Sequence, residues 1–151
     1  MPLTRPLHLE YVETAAQHVD QRRAVLDLCR VAYDEDITAY LSDIGPGLHA
    51  LGEPVATHPD AQRRGYGSAV LQALAGRMEG HDIGALSPSD ERFYARLGWE
   101  LWRGPLAVRT DHGVVLSPPD EQVMVRRLPR TPVTIDLDLP LSVEWRPGDV
   151  W

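Results

Sequence analysis

The residues best suited to chemistry are Gln62-Arg63-Arg64-Gly65-Tyr66-Gly67, a few residues beyond the short apolar run Val55-Ala56-Thr57. Two glycines with one residue between them let a backbone approach a ligand closely and take turns closed to other residues. The apolar residues Val70, Leu71, Leu74 and Met78 recur at i, i+3, i+4 spacing, which predicts a helix over Ser68 to Glu79. Gly80 supplies its stop. Amides at the start of such a helix have no partner within it and lie at the positive end of its dipole. Loop and helix together read as a cradle for a pyrophosphate, with Arg63 or Arg64 adding charge.

A second group follows at once. Ile83-Gly84-Ala85-Leu86-Ser87 reads as a short buried strand, Pro88-Ser89-Asp90 as a helix start, and Glu91 to Leu97 as a short helix closed by Gly98-Trp99. The elements that must position these groups are fewer and plainer. Leu7 to Val12 alternates as a first strand, Ala15 to Tyr33 reads as a helix, and Asp36 to Ile44 as a second short one ended by Gly45-Pro46-Gly47. Trp102 to Arg109, Val114 to Leu116 and Val123 to Arg127 read as late strands, with a tight turn at Asp111-His112-Gly113 and a loop at Ser117-Pro118-Pro119. Pro129 to Pro132 breaks the chain before a final extended arm. The fold class is α+β, in one domain over residues 1–151.

These two segments resemble the GNAT superfamily of acetyl-coenzyme A dependent N-acetyltransferases. Gln62, Gly65 and Gly67 match the pattern Q/R-x-x-G-x-G/A, and Phe93-Tyr94-Ala95-Arg96-Leu97-Gly98-Trp99 matches the family's tyrosine-bearing helix that ends in Gly-aromatic. The resemblance implies a central mixed β-sheet flanked by helices, with acetyl-CoA as the acetyl donor. Further likeness runs through most of the chain to the aminoglycoside 2′-N-acetyltransferases. It includes Leu48-His49-Ala50-Leu51, Gly84-Ala85-Leu86-Ser87, Leu97-Gly98-Trp99 with Trp102 and Gly104-Pro105, and above all Trp145-Arg146-Pro147-Gly148-Asp149-Val150-Trp151.

That resemblance implies direct acetyl transfer from the thioester to the 2′-amine of an aminoglycoside, an antibiotic-resistance chemistry. A polyamine or peptide amine as acceptor is the alternative within the superfamily. The reaction needs a base for the ammonium proton, stabilisation of an oxyanion and an acid for the leaving thiolate. By the match, Tyr94 is the acid and Glu53 the base acting through a water. The strand of Val55, Ala56 and Thr57 holds the acetyl and pantetheine groups through its amides, while Gln62, Arg63, Arg64, Gly65, Tyr66 and Gly67 hold the phosphates, with Ser87 nearby. The acceptor's ammonium groups need carboxylate or carbonyl partners. The match supplies Asp36, Glu53, Pro54, Ser87, Asp149, the carboxylate and indole of Trp151, and either Asp120 or Glu121.

The chain departs from the family pattern in one place. Between Leu51 and Val55 only Gly52-Glu53-Pro54 intervenes, where the family carries roughly 30 further residues, enough for two to three strands of about 5–6 residues with their turns. Losing those strands exposes backbone donors and acceptors on their neighbours. Three resolutions stand: the remaining strands re-pair, a second copy fills the gap in a homodimer, or the sequence omits part of the natural one. A remnant that binds coenzyme A without transferring is the corresponding functional alternative. Pro54 also removes an amide from the strand meant to hold the cofactor.

Composition narrows the partners. The net charge is −7 and all 15 basic residues are arginine, spread without a stripe. Such a chain repels nucleic acid and anionic membrane and attracts cations. No apolar run is long enough for a membrane span, and no charged-then-apolar segment opens the chain, so a cytoplasmic location is expected. The six histidines are scattered and Cys29 stands alone, so no metal site is expected.

Overall fold

The computed structural model describes residues 16, 18–33, 59–147 and 150–151. The chain divides into two compact units, Met1–Leu74 and Ala75–Trp151. The expected strand at Leu7 to Val12, the short helix at Asp36 to Ile44 and the run from Val55 to Thr57 lie outside the described residues. So does the junction at Gly52-Glu53-Pro54.

In the first unit, helix α1 spans Val19–Tyr33, a shorter helix than the Ala15 start predicted from the sequence pattern. Its start is fixed by a local cap. The His18 carbonyl accepts from the Arg22 amide at 3.0 Å, and the His18 amide donates to Gln21 Oε1 at 2.9 Å. This is the glutamine half of a capping box. Asp20 in the first turn and Arg30 in the last oppose the ends of the dipole.

Helix α2 spans Tyr66–Arg77. Its buried stripe is Leu71, Leu74 and Ala75, with Met78 half-buried in the turn that follows. Val70, expected on that stripe, is exposed instead. It lies one residue from Leu71 and so about 100° around the helix, on the edge of the face that i, i+3, i+4 spacing selects.

Among the described residues, the second unit holds six strands and one short helix. Strand β1 is Ile83–Leu86, helix α3 is Glu91–Ala95, and β2 is Glu100–Leu101. Then come β3 (Leu106–Thr110), β4 (Gly113–Leu116), β5 (Met124–Arg127) and β6 (Leu141–Glu144). One sheet has the order β1-β5-β2, antiparallel throughout, with Ile83 opposite Arg127 and Leu86 opposite Met124. Val123, Met124 and Val125 are all buried at its centre, so a run of consecutive apolar residues suits β5. The second sheet has the order β4-β3-β6 and mixed direction: β3 pairs antiparallel with β4 and parallel with β6. This is the mixed helix-and-sheet architecture expected.

The hairpin between β3 and β4 forms as its sequence dictates. Asp111 and His112 make a two-residue loop between the paired residues Thr110 and Gly113. Gly113 has φ +125, a conformation open to glycine. The Thr110 hydroxyl accepts from the His112 amide and donates to the Gly113 carbonyl.

The strand expected from Trp102 to Arg109 is interrupted between β2 and β3. The Trp102 amide donates to the Val123 carbonyl, and the amides of Arg103 and Gly104 both donate to the Leu137 carbonyl. The Trp102 indole N–H meets the Leu139 carbonyl at 2.8 Å. Gly104 lies so close to Leu139 that any Cβ would overlap the Leu139 carbonyl. Gly104→Ala should therefore destabilise the fold by about 1–3 kcal/mol, the usual cost of overpacking. A urea midpoint that does not move would show that this crossing tolerates a side chain.

The last arm, expected to be extended, carries strand β6 at Leu141–Glu144. Pro129 to Pro132 turns the chain, and Arg130 ties that turn to the Gly80 carbonyl and the Asp82 carboxylate. Thr131 binds the Asp82 carbonyl. Arg103 then grips Asp138 through two nitrogens, at 2.6 and 2.9 Å. The hydrogen bond and charge of Arg103 hold the Asp138 carboxyl below its usual range, and Asp138 in turn raises the Arg103 guanidinium. The pair is exposed, so its contribution to stability is small. Trp102, Val123, Val125 and Leu137 form the core between these elements, with Ile83, Leu106, Ile135, Leu141 and Trp151 packed against it.

Candidate functional site

The loop ahead of α2 turns tightly. Pro59–Ala61 makes one 3₁₀ turn, and the Gln62 amide donates to the Pro59 carbonyl at 3.2 Å. Arg63 then has φ +60 and Gly65 φ +83. Glycine accepts that region freely, but arginine is held there at a cost of about 1–2 kcal/mol. Backbone strain of this kind concentrates where a ligand is gripped. The first bond of the helix runs from the Ala69 amide to the Gly65 carbonyl at 3.0 Å. The amides of Tyr66, Gly67 and Ser68 therefore stand ahead of the helical ladder, at its positive end. Gln62, Arg63, Arg64 and Gly65 are exposed, and Tyr66 and Gly67 half-buried. Gly65 uses the freedom its sequence position suggested, whereas Gly67 lies in the first turn of α2. The strained arginine was not readable from the sequence.

The tyrosine-bearing helix is fixed at both ends. The Asp90 carboxylate accepts from the amides of Arg92 at 3.0 Å and Phe93 at 3.3 Å, an N-cap worth about 1 kcal/mol. At the other end the Trp99 amide donates to the Tyr94 carbonyl at 3.2 Å and the Gly98 amide to the Ala95 carbonyl at 3.1 Å. With Gly98 at φ +85, this is a Schellman closure. Its customary apolar contact is present too: the Tyr94 and Trp99 rings meet edge to face with centroids 6.3 Å apart. Arg126 adds a bond to the Leu97 carbonyl. Tyr94 is 6% exposed, and the Phe93 ring also meets it edge to face with centroids 5.2 Å apart. Two neighbouring rings thus hold the phenol in one orientation. The Trp99 indole N–H is buried and meets no acceptor among the described residues.

Ser87 leaves the end of β1 and donates to Glu121 Oε1 at 3.4 Å. Of the two acids offered for the position after Pro119, Glu121 is the half-buried one that meets Ser87, while Asp120 is exposed. The Glu121 amide closes a turn onto the Pro118 carbonyl at 3.0 Å. Trp151 is half-buried, packs against the core and donates from Nε1 to Ser117 Oγ at 3.3 Å. Ser117 is a partner that sequence reasoning passed over, since nothing local marks a serine 34 residues from Trp151. Asp36, Glu53, Pro54, Val55, Ala56, Thr57 and Asp149 lie outside the described residues.

Comparison with known proteins adds two findings. The profile of the Acetyltransferase (GNAT) domain matches residues 21–101, which is more than half of the chain. The chain is also 34% identical over 104 residues to an aminoglycoside 2′-N-acetyltransferase of Mycolicibacterium fortuitum. That alignment covers 66% of this chain and 53% of the relative, so the chain spans about half the length of the curated protein it matches.

Proposed function

Because the chain belongs to the GNAT acetyltransferase family, we propose that it uses acetyl-CoA to acetylate a primary amine, the 2′-amine of an aminoglycoside. The observation that carries the donor half is the cradle: positive φ at Arg63 and Gly65 directly before a 12-residue helix. A Cβ at Gly65 would stand in a strained turn that glycine alone takes without cost. These residues fit an anionic diphosphate, which the loop amides and the arginines would hold. When bound, the cofactor supplies an acetyl group activated as a thioester.

This chain's own residues do the rest. Tyr94 keeps a phenolic proton at Oη for a departing sulfur, in a ring orientation fixed by Phe93 and Trp99. Glu53 takes a proton from the acceptor ammonium through a water. Ser87 and Glu121 offer a hydroxyl and a carboxylate to a cationic amine, and family resemblance adds Asp36, Asp149 and Trp151 to the groups that would meet the acceptor. The choice of an aminoglycoside is supported by the 34% identity to a protein of that name and by the carboxylate among these groups.

A second reading has one observation in its favour. Only Gly52-Glu53-Pro54 stands between Leu51 and Val55, as a remnant that binds coenzyme A without transferring acetyl groups would allow. Incubation with acetyl-CoA and an aminoglycoside separates the two. Mass spectrometry of the antibiotic should show a single added acetyl group, located on the 2′-nitrogen by fragmentation. An unmodified antibiotic together with retained coenzyme A binding would favour the second reading.

A further inference from the structure

Trp151 has two attachments that a simple wall of the acceptor pocket would not need. Its indole packs against the core of Trp102, Val123, Val125 and Leu137. Its Nε1–H reaches Ser117 Oγ at 3.3 Å. Ser117 opens the loop that carries Glu121, and its own amide donates to the Leu106 carbonyl at 2.9 Å. Between Ser117 and Glu121 stand Pro118, Pro119 and Asp120. Two consecutive prolines fix φ twice, so a shift at Ser117 is transmitted along the loop rather than absorbed. The Glu121 amide bonds back to the Pro118 carbonyl, and its carboxylate meets the Ser87 hydroxyl.

We propose that Trp151 is a positioning residue: anchored in the core, it clamps Ser117 and so sets where Glu121 stands relative to Ser87. The proposal rests on the reading above in so far as Ser87 and Glu121 meet an ammonium group. The spacing of that pair then depends on an indole far along the chain, 34 residues beyond the serine it holds. The clamp itself is a property of the unliganded protein and can be tested without a substrate.

Ser117→Ala removes only the acceptor, Ser117→Thr keeps the hydroxyl, and Trp151→Phe keeps an aromatic ring without the donor. Hydrogen exchange at the Glu121 amide should quicken about 3- to 10-fold in Ser117→Ala and Trp151→Phe, the equivalent of one lost hydrogen bond. Ser117→Thr should restore it, and the double variant should exchange no faster than the more affected single. With an aminoglycoside as acceptor, both single variants should raise the acceptor KM by a similar factor and leave the acetyl-CoA KM unchanged. Unaltered exchange in Ser117→Ala would overturn the clamp. A native protein that turns over no aminoglycoside would overturn the functional reading instead, and the exchange measurement would still decide the clamp.

Discussion

Tyr94→Phe should lower turnover about 10²- to 10⁴-fold, the range a lost general acid produces, and leave the fold nearly as stable. The size follows from chemistry: a thiolate leaves more readily when a proton arrives with it, and phenylalanine has none to give. The small change in stability follows from packing. The ring of Tyr94 is 6% exposed and lies edge to face with both Phe93 and Trp99. Phenylalanine keeps both contacts and loses only what the hydroxyl contributes, about 1 kcal/mol for a typical hydrogen bond. The measurement is single-turnover acetyl transfer, in which product release cannot mask the chemical step, alongside a thermal midpoint. Equal single-turnover rates in the two proteins would make Tyr94 a core aromatic and remove it from the reaction.

Gly65→Val should weaken coenzyme A binding about 10- to 100-fold. One or two charge-assisted hydrogen bonds to backbone amides are worth about 1.5–3 kcal/mol each, and each 1.4 kcal/mol is about tenfold in affinity. Valine at φ +83 also strains the turn, so part of any loss reflects the loop itself. Arg63→Gly separates the two effects. Glycine relieves the positive φ at that position, so this variant should be as stable as the native protein or more so, yet bind coenzyme A less well for want of a cation. Calorimetric titration of coenzyme A into both variants is the check. Native affinity in both would move the phosphate site away from this loop.

The sequence was most readable where a structure closes on itself locally. Gly65, Gly98 and Gly113 mark the turn before a helix, a helix end and a hairpin, and each has positive φ. Asp90 caps the helix it precedes in the chain. These features need only a few neighbouring residues, so residue type and spacing reveal them. The unread features join distant segments. Strand β6 lies parallel to β3 with Leu141 opposite Leu106, a register that no hairpin turn dictates. The break at Gly104 follows from its approach to Leu139, which single-strand patterning cannot see. Glu121 rather than Asp120 meets Ser87, because the turn onto Pro118 rotates one acid inward. Arg63 gave no sign of its strain, since its conformation is imposed by the loop and not chosen by the side chain. Asp36, Glu53 and Asp149 owe their proposed roles to family resemblance alone, as they lie outside the described residues.

The central claim is acetyl transfer to an aminoglycoside, and the release of coenzyme A thiol tests it most directly. The purified chain with acetyl-CoA is given an aminoglycoside bearing a 2′-amine, a polyamine, or no acceptor. Thiol release that depends on the aminoglycoside, saturates with it and is much slower with the polyamine is the predicted result. Release that favours the polyamine, or that is the same with no acceptor at all, would contradict it.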